Sequence, residues 1–375
     1  MANTFITPTM VARDAAITLH DRLITGDLVT RDKERMFTAS KVGDTVPVTV
    51  PPILVANEFT GTTTPQDITE TSVNLELEHH YEATGTITSK QSSLELSDFT
   101  RLVTVPAMDA IMDAIDDYFI TQIARGFTSH CAGTRGTQPS SKAHILAANK
   151  ILKDNKVKSM DRIGLISTTA EASFMALNEF VSADYGQDGT RGLREAYLTR
   201  RYGVDWFVDA NSGTQERGDV AGTVLTNGIP VLGASTLAID GFTAATGDLY
   251  EGAAFTVAGD TTEYALTADA SITGNAATVS ITPVVSADLV AAGDGAAVTF
   301  LSAVTENMIY NKGAVAGAIV APTPLRIGSA VESYRGISVR ATFSSSTVTL
   351  SDQVVFDVFC GCQVIQPVGG VILQG

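Results

Sequence analysis

Between Arg217 and Lys312 the chain carries no Lys or Arg, yet ten carboxylates fall there, from Asp219 to Glu306. So sharp a shift marks a module of its own. Short β-rich runs occur inside it: Phe255-Thr256-Val257, Glu263-Tyr264-Ala265-Leu266, Thr278-Val279-Ser280-Ile281 and Val298-Thr299-Phe300. Gly259-Asp260, Gly274-Asn275 and Asp294-Gly295 separate them with turn chemistry. The segment reads as a small β-barrel or sandwich, residues 241–303, inserted in a larger fold. It reads as an insertion because α/β-like sequence flanks it on both sides.

Those flanks have distinct periodicities. Upstream, residues 142–155 and 169–181 read as helices, and 162–167 and 204–208 as strands. Residues 97–125 form the clearest helix. Ser97 and Asp98 are N-cap candidates, and Pro106 either begins a second segment or kinks one long helix. Beyond it Ile111, Ile115, Phe119 and Ile123 recur every four residues, with Asp109, Asp113, Asp116 and Asp117 on the other side. That pattern predicts one buried stripe. In residues 42–90, Val46, Val48 and Val50 alternate with Pro47 and Thr49, and Val73, Leu75 and Leu77 alternate with polar residues. Two such runs predict a hairpin joined by a long polar connection. It has few large apolar residues of its own, so it needs a surface to lie on. Residues 1–40 read either as an arm that grips a neighbour or as an ordinary surface helix. Residues 331–375 read as strands throughout.

Composition excludes more than it selects. With 375 residues and 44% apolar content, a sizeable core is expected. A net charge of −16 disfavours specific DNA reading, since that draws on cations that neutralise phosphates. A wall that encloses DNA without gripping it is compatible with acidity. Cys131, Cys360 and Cys362 are too few for a disulfide framework, which suits a reducing cytoplasm. No secretion signal is read at the start, and no apolar run is long enough to span a bilayer.

Candidate chemistry is sparse. His79-His80 lies among Glu76, Glu78 and Glu82, but in a strand the two imidazoles point to opposite faces, and the helical His-Glu-x-x-His geometry is absent. Cys360 and Cys362 share one strand face and read as core thiols rather than zinc ligands. Residues 184–189 form a turn-rich loop without the alternating ligands of a calcium site. No phosphate-binding loop, nucleophile elbow or dinucleotide fingerprint occurs. The expectation is a non-enzyme with no catalytic, cofactor or metal residues.

One resemblance spans most of the chain. Its pieces are Met1-Ala2-Asn3-Thr4, Thr7-Pro8-Thr9-Met10 and Arg13-Asp14-Ala15, then Lys41-Val42-Gly43-Asp44-Thr45-Val46 before Pro51-Pro52. Next come Gln66-Asp67-Ile68-Thr69-Glu70-Thr71-Ser72-Val73 and Leu94-Glu95-Leu96-Ser97-Asp98-Phe99. The last are Ser333-Tyr334-Arg335-Gly336-Ile337-Ser338-Val339-Arg340 and Asp357-Val358-Phe359-Cys360-Gly361-Cys362-Gln363-Val364-Ile365. In this order the chain resembles the coat proteins of short-tailed phages of the Salmonella phage P22 type.

The resemblance implies an α+β, Hong Kong 97-type capsid fold with a small inserted all-β domain. It implies an N-terminal arm (1–40), an extended loop hairpin (41–92) and a peripheral domain with a spine helix (93–130 and 331–375). It further implies an axial domain (131–240 and 304–330) around the insertion (241–303). The implied function is a major capsid protein forming hexamers and pentamers of an icosahedral head around double-stranded DNA. It would be made in the bacterial host cytoplasm and reside in the virion. Implied partners are further copies of the chain, a scaffolding protein, a portal and a decoration protein, with no membrane. The alternative class is a surface-exposed, adhesin-like β-rich binding protein, which would need a secretion signal.

Contacts between copies are expected at Arg13, Arg22 and Arg31 in the arm. The hairpin is expected to contribute Glu58, Phe59, Gln66, Asp67 and Glu70. The later loop is expected to contribute Asp184, Tyr185, Asp188 and Arg191.

Overall fold

A computed structural model describes residues 8–34, 36–37, 45–50, 56, 71–88, 100–181, 198, 200–325, 328–346 and 351–375. In chain order it opens with α1 (Pro8–Arg22), β1 (Thr45–Val50), β2 (Thr71–Glu76) and β3 (His79–Thr88). A π turn, Thr100–Thr104, leads into α2 (Val105–Gly126). Then follow β4 (Cys131–Ala132), α3 (Lys142–Asp154), β5 (Arg162–Ser167), α4 (Thr168–Met175), α5 (Asn178–Val181) and β6 (Asp205–Asp209). The next strands are β7 (Gly222–Thr226), β8 (Thr236–Phe242), β9 (Thr246–Leu249), β10 (Ala254–Val257), β11 (Glu263–Leu266), β12 (Ala270–Thr273) and β13 (Ala276–Thr282). After α6 (Ala287–Ala292) come β14 (Val298–Phe300), β15 (Met308–Asn311), β16 (Val315–Val320), β17 (Ser329–Tyr334) and β18 (Ile337–Ser346). The chain closes with β19 (Ser351–Val364) and β20 (Gly370–Leu373). It divides into two compact units, residues 1–119 with 315–366 and residues 120–314 with 367–375.

In the first unit β19 is the organising strand. Its 14 residues pair with β18 and then β16 on one side and with β3 on the other, while β17 extends the sheet beyond β18. The helix α1 lies on β17 and β18. Its buried face is Val11, Ala12, Ala15, Ala16 and Leu19. The alanines let the helix axis come close to the sheet. Residues 8–22, read as either arm or surface helix, thus form a helix packed on the chain's own sheet. The segment after it adds to the free edge of β16, where Thr30 N–H donates to Val315 O at 3.0 Å and Gly317 N–H to Thr30 O at 3.0 Å.

The predicted hairpin is present at its base. β1 and β2 run antiparallel with Val46 opposite Leu75 and Val48 opposite Val73. Val48 and Leu75 pack with Ala316, Ala318 and Val320 of β16, flanked by Phe37, Leu77 and Ile365. The surface the hairpin needs is supplied here by its own sheet. Its long polar connection lies outside the described residues, as do Ser97 and Asp98.

The helix α2 follows from its pattern. Pro106 is its second residue, at the junction where the π turn gives way to the α-helical segment, so Pro106 begins that segment rather than kinking it midway. Ile111, Ile115, Phe119 and Ile123 are all buried. Each contributes roughly 1.5–3 kcal/mol of burial. Gly317 leaves room for Phe119 and Val29; a Cβ there would stand 2.7 Å from the Val29 side chain.

The second unit holds two sheets. One has the order β4-β20-β15-β5-β6. Its interior strand β5, between β15 and β6, is buried at every residue. A core of Ile145, Leu152, Ile166, Phe174, Trp206, Ile309 and Leu373, among others, joins this sheet to α3 and α4. The expected helix over 169–181 is two helices, α4 and α5, with a break at residues 176–177. The strand β20 pairs with β15 and β4, so the end of the chain belongs to this sheet. Residues 367–375 therefore leave the domain that the 331–375 reading gave them, because Met308–Tyr310 supplies their partner.

The acidic module is the other sheet. Its strands run β7-β8-β13-β11-β10-β14, with β12 and β9 extending from β13. An antiparallel bridge from Leu225 to Ala297 and the bond from Thr226 N–H to Ala296 O join β7 to the entry of β14. The ring closes, and a barrel rather than a sandwich results. It encloses Leu237, Ile239, Phe242, Phe255, Tyr264, Leu266, Val279 and Ile281, among others. Gly274 and Asn275, both at positive φ, make the two-residue turn between β12 and β13. The barrel starts at β7, upstream of residue 241, because Gly222-Thr223-Val224-Leu225-Thr226 carries too few apolar residues to stand out as a strand.

Candidate assembly surfaces

Only three of the proposed contact residues lie among the described residues. Arg13 is exposed on α1. Arg22 forms an ion pair with Asp109 of α2. Arg31 is half-buried, 3.5 Å from both Asp27 and Glu34, and donates to the carbonyl of Arg335 at 3.4 Å. Arg22 and Arg31 therefore hold the chain's own N-terminal segment in place. Glu58, Phe59, Gln66, Asp67, Glu70, Asp184, Tyr185, Asp188 and Arg191 lie outside the described residues.

Two internal ties fix that segment. Asp116, 1% exposed, accepts from the backbone N–H of Thr25 at 3.0 Å and from its hydroxyl. Glu34 accepts from Ile319 N–H at 3.1 Å. Burial pushes the Glu34 carboxyl up to about 7, against the pull of Arg31 and the Ile319 N–H. A carboxyl buried in this way is a costly anchor when ionised.

The histidine pair diverges, as a strand requires. His80 Nε2 is 2.8 Å from Asp357 Oδ2, and Asp357 also takes Arg340 through Nε at 2.9 Å and through a second guanidinium nitrogen. His79 stacks on Tyr81 at 5.5 Å and meets Tyr118 edge-on at 4.4 Å. Tyr118 donates to Glu78 at 2.8 Å, and burial with this carboxylate raises its pKa. These residues are consumed in pairwise contacts that lock β3 to β19 and α2. Among the described residues no three His, Cys, Asp or Glu side chains are grouped to hold a metal ion.

The thiols are free. Burial pushes Cys360 up to about 12 and Cys131 to about 11, and raises Cys362 as well. They are thiols rather than thiolates at neutral pH, hence poor nucleophiles and poor metal ligands. In the second unit Ser167 meets Thr305 and Asn307 at 2.7 and 3.0 Å. A nearby cavity of about 10 Å³, lined by Gln215, Glu306, Asn307 and Gln374 among others, suits one water and no substrate. The sequence reading missed this polar cluster, because its members come from four separated segments.

No family model and no curated protein matches the chain. Solved structures do. A structure of Mycobacterium phage Che8 is 14% identical and covers 94% of this chain and 90% of its own, with a TM-score of 0.51. A capsid structure of the cyanophage P-SCSP1u is 12% identical, covering 100% and 90%, with a TM-score of 0.49. The capsid of Ralstonia phage GP4 is 8% identical, covering 93% and 87%, with a TM-score of 0.48. The chain has the Hong Kong 97-type capsid fold, α+β with several sheets. In this chain a β-barrel lies between β6 and β15.

Proposed function

We propose that the chain is the major capsid protein of a tailed phage, non-catalytic, closing as hexamers and pentamers into an icosahedral head around double-stranded DNA. The single observation that carries this is the fold likeness over nearly the whole chain. The ordered coat-protein motifs support kinship with the P22-like group. On this reading the unit built on β19 and α2 is the peripheral domain, and the sheet of β4, β20, β15, β5 and β6 is the axial domain. Residues 51–70 and 182–197 are the segments that reach neighbours, together with the exposed Arg13 of α1. Repeated heterologous contacts around an axis close such a shell. Scaffold, portal and decoration partners, and synthesis in the host cytoplasm, belong to the same proposal. No described helix is long and apolar enough to cross a membrane.

Negative-stain microscopy of the purified chain, with and without a co-expressed scaffold, tests it. Closed shells or capsomers are expected. A chain that stays monomeric at high concentration in every condition overturns the reading. Deleting residues 60–65 is expected to leave the subunit folded and to abolish shells.

A further inference from the structure

Five of the nine lysines lie on α3 and the turn that follows it, and a sixth lies beside that turn. Lys142, Lys150 and Lys153 are exposed within an arc of about 80° on that helix, with Leu146 between them. Lys156 and Lys158 follow on the turn, both exposed. Lys312 N–H donates to Asp161 O at 3.0 Å, which brings the sixth alongside. Over residues 142–162 the sequence holds five lysines and Arg162 against two carboxylates, Asp154 and Asp161, in a chain of net charge −16.

The turn is built to be rigid. Arg162 is 2% exposed, and its guanidinium donates to Val157 O at 2.7 Å, Lys158 O at 3.1 Å and Asn149 Oδ1 at 2.9 Å. Asn149 in turn donates to Tyr202 O at 3.2 Å. A buried cation with neutral partners thus underlies the lysines and adds to their potential. Lys150 pairs with Asp154 at 3.1 Å. Among the described residues no carboxylate is paired with Lys153, Lys156 or Lys158.

We propose that this face binds the phosphate backbone of duplex DNA without sequence preference. Lysine is a mobile point charge suited to phosphate and is depleted from the buried cores of protein–protein contacts. The face offers no bidentate fork aimed at base edges, so it positions and does not read. The choice of DNA among polyanions rests on the proposed shell function.

The test is fluorescence anisotropy of a labelled 30-base-pair duplex with the full-length chain, from 50 to 200 mM salt. The variant K150Q/K153Q/K156Q/K158Q is expected to bind at least tenfold more weakly at 50 mM salt. Its log–log salt slope should be shallower by about 3–4, since each phosphate left without its lysine removes about 0.9. The four Lys→Arg changes should retain binding, and Lys33→Gln should not alter it. No duplex binding by the unaltered chain at 50 mM salt overturns the proposal, as does equal binding by the Gln variant. Loss of shells with unchanged duplex binding would instead make the face a protein contact, and also overturns it. Duplex binding by a chain that never forms shells would tell against the shell reading alone.

Discussion

The acidic barrel and the β1–β2 hairpin are both projections from a larger body, yet they solve stability in opposite ways. The barrel encloses a core of its own, with Phe255, Tyr264, Leu266 and Val279 all fully buried. The hairpin has six paired positions and borrows its apolar surface from β16. Two buried carboxyls, one in the barrel and one in the segment beside β16, differ as well. Asp260 in the barrel is raised by burial, but bonds from Ser286 at 2.5 Å, Tyr264 at 2.6 Å and Thr262 N–H at 2.8 Å outweigh that and hold it at about 2. Glu34, whose segment lies along the same β16, sits at about 7. In the barrel, hydrogen bonds to the carboxylate outweigh the cost of burial; beside β16, burial outweighs the groups that favour the ionised form.

The largest expected effect comes from hollowing the barrel. Phe255→Ala should cost about 3–5 kcal/mol there. Calorimetry is expected to show an early transition for the barrel alone; one cooperative transition shifted as a whole would break the contrast. Leu75→Ala should cost about 2–4 kcal/mol and loosen the hairpin. Limited proteolysis is expected to cut between residues 45 and 76 sooner, while the barrel's transition stays where it was.

The smallest effect is a pair of opposite pH slopes. Asp260 is depressed, so its contribution is present above about pH 4 and is lost as pH falls toward 2. Glu34 is raised, so its contribution is full below about pH 4.5 and is lost as pH rises through 7. Asp260→Asn should flatten the acid limb, and Glu34→Gln the neutral one, in urea midpoints measured across pH. Slopes unchanged by these substitutions would show that other groups govern them.

What the sequence revealed follows from the range over which each signal acts. The stripe Ile111, Ile115, Phe119 and Ile123 is a local period, so α2 was legible. Alternation at Val46, Val48, Val73 and Leu75 gave the hairpin and its facing. The barrel's start was misjudged by strand pattern, because β7 is rich in Gly and Thr. The charge boundary at Arg217 lay nearer the true edge, since electrostatic composition belongs to the whole module. The allegiance of β20 was invisible, as no local property of Gly-Val-Ile-Leu says which sheet it joins. The lysine face was equally hidden. Its members are plain in the sequence, but averaging over an acidic chain concealed them until α3 and its turn set them side by side.

Gly361 carries a last consequence. A Cβ there would overlap the Glu76 carbonyl at the end of β2. The Cys360-Gly361-Cys362 tripeptide is therefore a seat cut to the width of a bare backbone. Any descendant of this chain that widened it would have to lift the hairpin off its sheet. Among divergent relatives, loss of glycine at this position should thus coincide with a hairpin that leaves the body by another path. One residue becomes a marker for sorting lineages by how their hairpin is mounted.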